Sequence, residues 1–247
     1  PKRWGYLPIA VARFMQINYK KNTMQFLRYG VERSEKQSLV ACLADIYGKI
    51  NKIPIPKIAE MRKIIADSVS LDDYKKYGKG SFVRLFSKKP SSQETLLKES
   101  YDNFRKYLLD KDSNIDHTYL WDIVSNEKLF ENGLNMVIME IVNNDITSKV
   151  DIICPLTSYV KNRFIMGRDT IFLINNGSRY EPVYLVKSSG NKAPKAFFKT
   201  TGENPSIRKL LKTLDNTLNK YCNSSRKEIK EYTFDSPMEV DELIRQL

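Results

Sequence analysis

Histidine and cysteine are the scarcest reactive residues in this chain: one histidine, His117, and three cysteines, Cys42, Cys154 and Cys222, in 247 residues. No zinc-ligand spacing can be written from them. Three cysteines lying far apart in sequence suit a reducing compartment, and the apolar runs VACLA and DIICP predict that Cys42 and Cys154 are buried, inert thiols. No stretch of eighteen apolar residues occurs and no amino-terminal apolar region follows a basic one, so neither a membrane span nor a secretion signal is read. The phosphate-loop pattern G-x-x-x-x-G-K-[ST] is missing, and the GKG at Gly78 to Gly80 is too short to replace it. No metal or cofactor is therefore expected. Pro1 rather than Met opens the sequence, which reads as a segment of a longer protein.

What the chain has in excess is positive charge. Its 41 Lys and Arg outnumber 29 Asp and Glu, for a net charge of +12. Such a surplus reports long-range attraction to anions and says nothing of fold; nucleic acid is the commonest such partner, with acidic proteins and anionic membranes as the alternatives. The charge is unevenly spread. From Lys187 to Lys230 eleven basic residues face three acids, so this stretch carries +8 of the total. Hydrophobic residues make up 41% and aromatic ones 11%, enough to fill a core.

The amino-terminal half reads as helix. The segment LPIAVARFMQINY places Pro8 at a first turn, and SEKQSLVACLADIYGKI spaces Leu39, Leu43, Ile46 and Ile50 along one face with Ser34 as N-cap and Gln37 closing a capping box. PKIAEMRKIIADSV repeats the pattern from Pro56. DDYKKYGKGSFVRLFSKKPSS then breaks it with two glycines and a proline and predicts a basic loop or short hairpin carrying Lys75, Lys76, Lys79, Arg84, Lys88 and Lys89. Helical spacing returns in QETLLKESYDNFRKYLL and in DHTYLWDIV, the latter capped by Asp116 and closed by Asn132-Gly133.

Four short runs rich in β-branched and aromatic residues follow, LNMVIMEIV, KVDIICP, DTIFLIN and EPVYLVK. NNDITS is a turn between the first two, and Asn176-Gly177 marks a hairpin between the last two. NPSIRKLLKTLDNTLNKYC predicts a helix with Asn204 as N-cap, Pro205 at its first position, and Ile207, Leu210 or Leu211, Leu214, Leu218 and Tyr221 on its buried side; a capping box, SPME, opens a last one. The expected class is α+β: a helical amino-terminal half followed by a small, mainly antiparallel or mixed sheet flanked by helices. The expected division is a helical region with a basic loop over 1–112 and an α+β region over 113–247, or a single continuous domain.

Helices around strands that bear acids raise the restriction-endonuclease core, in which an E-x-K pair on one strand holds Mg²⁺ and a water. Glu181 and Lys187 share a strand face by parity but stand about 20 Å apart, and Glu140 has Val142 where a lysine is needed. Asp145, Asp151 and Asp169 are explained as turn or strand-edge residues. Such a core, if degenerate, binds without cutting; a Mg²⁺-dependent nuclease using Glu140, Asp151 or Asp169 is the alternative. His117 follows a helix cap, where a histidine packs or faces solvent more often than it acts as a base. Phe197 and Phe198 could wedge between bases, although a Phe-Phe pair beside a helix is commonly core. The arrangement that favours an anionic ligand is a hairpin, a Gly- and Pro-bearing lysine loop, and a helix N-terminus in succession. Lys187, Lys192, Lys195, Lys199, Arg208, Lys209 and Lys212 are the candidate phosphate contacts, with Lys75, Lys76, Lys79, Arg84, Lys88 and Lys89 as a second patch.

The segments GYLPIAVARFMQ, LRYGVERSEKQSLVACLADIY, DHTYLWDIV, GLNMVIMEIVNNDITSKVDIICP and RYEPVYLVK resemble the large subunit of the early transcription factor of nucleocytoplasmic large DNA viruses, the poxvirus, asfarvirus and mimivirus type. The resemblance spans most of the chain from Gly5 to Lys187 and carries no residue-level binding motif. It implies a non-catalytic double-stranded DNA-binding part of a promoter-recognition factor, similar to an inactive nuclease. The partners it implies are a helicase-like ATPase small subunit and the viral RNA polymerase, in the host cytoplasm and the virion. A protein-interaction scaffold docking on an acidic partner is the remaining reading.

Overall fold

The structure is a computed structural model that describes residues 1–15, 24–87, 93–141, 150–155, 164–177, 179–187, 193–199, 201 and 205–224. The expected turn NNDITS, the cap Asn204, the SPME capping box, and Lys88, Lys89 and Lys192 lie outside them. Among the described residues six strands form one mixed sheet, ordered β1-β2-β6-β5-β3-β4. They are β1 (Trp4–Tyr6), β2 (Met24–Tyr29), β3 (Leu134–Ile141), β4 (Val150–Ile153), β5 (Asp169–Asn175) and β6 (Tyr180–Lys187). Only the neighbours β3 and β5 run parallel; the other neighbours are antiparallel.

The strands alternate, and the alternation sorts the apolar residues into two layers. Leu134, Met136 and Ile138 of β3, Ile171 and Leu173 of β5, and Tyr180 and Tyr184 of β6 join one buried cluster. Val137, Met139, Ile141, Phe172, Ile174, Val183 and Leu185 join the other. A period of two puts these sets on opposite faces, and burial on both faces explains why β3 and β5 read as continuous apolar runs.

The first face is covered by α2 (Ser38–Asn51), α3 (Ile58–Ser68), α4 (Leu71–Tyr74), α5 (Ser81–Leu85), α6 (Gln93–Leu109) and α7 (His117–Ser125), and the second by α1 (Ile9–Phe14) and α8 (Pro205–Ser224). The fold is α+β, a mixed sheet flanked by helices as the sequence predicts.

Two strands lie in the half read as helical. β2 pairs with β6 through Phe26↔Leu185 and Arg28↔Val183, so one ladder joins residues on both sides of position 113. MQFLRY buries only Phe26 fully, too little apolar alternation to announce a strand. α2 begins at Ser38, not beside Ser34: the Ser34 hydroxyl accepts from the Gln37 amide, and the buried Gln37 side chain donates to the carbonyls of Asp110, Lys111 and Ser113 rather than closing a capping box. The expected basic loop or hairpin is helical instead. α4, a 3-10 turn at Tyr77–Gly80 and α5 follow one another because Tyr74, Tyr77, Phe82 and Val83 are all buried, and Gly78, Lys79 and Gly80 all take positive φ values at the turn that joins the pieces. Asn132 and Gly133, with φ of 65° and 67°, turn the chain into β3; α7 has already ended at Ser125.

Cys154 is not a free thiol. It is bonded to Cys222, 68 residues away, while Cys42 alone is free and buried. Separation in sequence hid a pair that the docking of α8 beside β4 brings together, so the spacing argument for a reducing compartment loses its basis. Closing a loop of that length removes much unfolded-chain entropy, and Cys222→Ser is expected to lower the urea-unfolding free energy by about 2–4 kcal/mol without reductant. With excess dithiothreitol, wild type and variant should unfold together; an equal gap in both conditions would show that the thiol's packing, not the cross-link, matters.

Candidate nucleic-acid interface

The placement of α8 is set by its apolar residues. Ile207, Leu210, Leu211, Leu214, Leu218 and Cys222 are all buried in the second cluster. At about 100° per residue these positions form one seam. Arg208, Lys209, Lys212, Thr213, Asn216, Thr217 and Lys220 are consequently exposed, and Asp215, half-buried, is the one acid in the helix.

Leading into α8, residues 195–198 lie in the opening where β5 and β6 diverge. Leu185 and Lys195 exchange both backbone hydrogen bonds at 2.9 Å; Thr170 and Phe198 do the same at 2.8 and 2.9 Å. The two phenylalanines are core. Phe198 is fully buried against Phe26 and Phe172, with ring centroids 5.5 and 5.4 Å apart, and Phe197 packs against the opposite cluster. Neither is free to wedge between bases.

The candidate cations divide by face. Lys187 shares parity with Val183 and Leu185 and stands opposite Met24, which packs on the second cluster. Lys195 places its ammonium 6.0 Å from the Phe198 ring centroid. Lys187 and Lys195 thus belong to the layer that holds α8. Lys199 turns elsewhere: its Nζ is 3.6 Å from the carboxylate of Asp169, whose parity along β5 is that of Ile171 and Leu173.

The second patch is carried by the other layer. Lys75 bonds Asp72 at 3.0 Å, Lys76 is exposed, and Lys79 and Arg84 are half-buried on the short helical pieces. The sheet therefore separates the two patches. Lys220 and Arg13 were not among the expected contacts, yet both face outward from the α1 and α8 layer. Spacing Lys212–Asn216–Lys220 at four-residue intervals is the signal that would have found Lys220; Arg13 had none, because the pairing of α1 with this face is a tertiary fact.

Among the described residues, Glu140, Asp151 and Asp169 do not assemble as a nuclease centre would. Glu140 and Asp151 are cross-strand partners, but Asp169 pairs with Leu134, six residues or about 20 Å along β3 from Glu140. Glu181 accepts from Arg28 at 2.9 Å. No group of three or more His, Cys, Asp or Glu able to hold a metal ion occurs among the described residues, and no helix there is long and apolar enough to cross a membrane.

His117, the residue after the Asp116 cap, is half-buried with Nδ1 2.7 Å from the Tyr180 hydroxyl. Burial lowers the imidazole pKa, against the opposing pull of Asp116 and Glu140. Burial, then the Asp116 charge, raises that of the Tyr180 phenol. Both shifts favour the uncharged forms, a protonated phenol beside a neutral imidazole, and the imidazole's tautomer decides which of the two donates. Deeper in the same layer, the Asp45 carboxylate accepts from the Tyr184 hydroxyl and from Lys49 Nζ at 2.5 Å, and Lys49 lies 5.4 and 5.0 Å from the Tyr29 and Tyr184 ring centroids. Each charge there is met by another group of the same set, a structural arrangement.

No protein-family model matches the sequence, and no curated protein matches it. Among solved structures, an ovarian tumor (OTU) domain in complex with ubiquitin is similar over 84% of this chain and 98% of its own, at 12% identity and a TM-score of 0.40. At that level the likeness carries no argument.

The lowered pKa of His117 has a definite sign. The folded chain disfavours the imidazolium, so the unfolded chain binds the extra proton and stability falls as pH drops below the ordinary histidine value of about 6.5. His117→Asn should show a smaller loss of urea-midpoint stability between pH 7.5 and 5 than the wild type. Equal losses in the two proteins would assign the pH dependence to carboxylates instead.

Proposed function

We propose that this chain is a non-catalytic module that binds duplex DNA through the outward face of α8. The observation that carries the reading is that Arg208, Lys209, Lys212 and Lys220 are exposed along one helix whose other side is pinned to the sheet. Lys187 and Lys195 flank the same layer. Phosphate backbones are held by such rows of cations, each contact releasing condensed counterions, so affinity falls steeply with salt. Lys192, outside the described residues, belongs to the proposed set by sequence alone; Lys199, engaged by Asp169, is a weaker member. The patch of Lys75, Lys76, Lys79 and Arg84, with Lys88 and Lys89, is placed second because the sheet lies between it and α8.

The resemblance described above supports a role in viral early transcription, with promoter DNA, the viral RNA polymerase and a helicase-like subunit as partners in the host cytoplasm and virion. The separation of Asp169 from Glu140 and Asp151 favours binding without hydrolysis.

The triple reversal Arg208→Glu, Lys209→Glu, Lys212→Glu changes exposed side chains and should leave stability within about 0.5 kcal/mol. In a gel shift with mixed-sequence duplex at 50–200 mM salt it is expected to weaken binding at least tenfold and to flatten the log–log salt slope by about two to three. Unchanged affinity would reject the α8 assignment. Absence of wild-type binding at low salt would favour an acidic protein partner, and nicking of supercoiled plasmid in Mg²⁺ or Mn²⁺ would restore the nuclease reading.

A further inference from the structure

α8 holds more than a row of charges. Taking Lys209 as zero and turning about 100° per residue, the buried positions Ile207, Leu210, Leu211, Leu214 and Leu218 centre near 150°. The direction pointing straight away from the sheet is then about −30°, and Asn216 lies at about −20°. The outermost crest of the helix is therefore occupied by a neutral amide. Lys212 and Lys220 stand one turn, about 6 Å, to either side of it, and Lys209 a further turn back. Thr213 and Thr217, both exposed, lie on one flank of that crest, at about 40° and 80°.

This is the distribution a helix needs to read a major groove. The groove is about 12 Å wide, so the middle of an inserted helix meets base edges while residues some 6 Å or more from the centre meet the phosphate walls. Lys209 to Lys220 spans about 16 Å of helix axis, and Asn216 falls inside that span. Asn both donates and accepts, and its amide matches the N6 and N7 edge of adenine with two parallel hydrogen bonds; lysine, a donor alone, cannot make that pair. The charge of the flanking cations selects a polyanion, and the alternation of charge with amide selects one whose centre presents hydrogen-bonding edges between two rows of phosphate.

We infer that Asn216 is a base-reading residue of this module, with adenine in the major groove of duplex DNA as its partner and Lys209, Lys212 and Lys220 on the adjoining phosphates. The inference rests on the DNA-binding reading of α8, and its test separates the two. The probe is a duplex pool with a 20-base-pair random core, selected by the full chain over repeated rounds. Wild type is expected to enrich sites with an adenine at one fixed position, preferred about tenfold or more over the other bases. Asn216→Ala, and Asn216→Asp, which keeps the side-chain size but can only accept, are expected to lose that preference. The alanine variant should bind the unselected pool within about twofold of wild type, with the same salt slope, because no phosphate contact is removed.

Wild type that binds the pool but enriches nothing, or variants that keep the adenine preference, would overturn the assignment of Asn216 and leave the reading of α8 standing. A wild type that does not bind the unselected pool would overturn both. Loss of pool binding by Asn216→Ala with its melting temperature unchanged would make the residue a phosphate contact and overturn its role in base reading.

Discussion

The burial of the apolar seam of α8 is the constraint from which the rest of this account descends. Ile207, Leu210, Leu211, Leu214 and Leu218 each remove a large side chain from water, worth about 1.5–3 kcal/mol apiece as an upper estimate. A surface ion pair contributes between about 0 and 1 kcal/mol. Hydrophobic burial therefore fixes the rotation of the helix, and the charges have no say in it. Arg208, Lys209, Lys212 and Lys220 face outward because they occupy what remains of the surface. The disulfide from Cys154 to Cys222 holds the far end of the same helix to the sheet edge, so the outward face is fixed at both ends of α8.

The short pairing of residues 195–198 with β5 and β6 plays a matching part upstream. Its backbone completes hydrogen bonds that the diverging strands would otherwise leave open at Thr170 and Leu185, groups that are costly to bury unpaired. Phe198 and Phe197 lock the segment into both layers. Lys195 is thus anchored to rigid backbone. Lys199, by contrast, is turned toward Asp169. One run of lysines in the sequence becomes two populations in space.

Where local signals dominate, the sequence was legible. The four apolar strands, the Asn176-Gly177 hairpin, the Asp116 cap and the amphipathic α8 with Pro205 at its start all appear where spacing and turn chemistry put them. Legibility failed where tertiary partners decide. β2 is a strand because β6 offers an edge, and β1 because β2 then offers another, not because WGY or MQFLRY alternates well. The segment from Leu71 to Leu85 looked like a loop because its glycines and lysines obscured four anchors, Tyr74, Tyr77, Phe82 and Val83, spaced irregularly along three short pieces. Cys154 and Cys222 could not be paired from sequence, since three cysteines allow three pairings and nothing local chooses among them. For the candidate interface, density of charge was visible in the sequence, while the face of each cation was not. Parity along β6 assigns Lys187, and the seam of α8 assigns the helix; neither can be used until the layers are known.

Lysine-reactivity footprinting with an acetylating reagent, with and without a mixed-sequence duplex, addresses the surface itself. If the outward face of α8 is where a polyanion lies, Lys209, Lys212 and Lys220 lose most of their reactivity when DNA is added and regain it as salt is raised, while Lys75 and Lys76 react as before. Protection of Lys75 and Lys76 with α8 unaffected, or no protection anywhere at saturating DNA and low salt, would contradict the account.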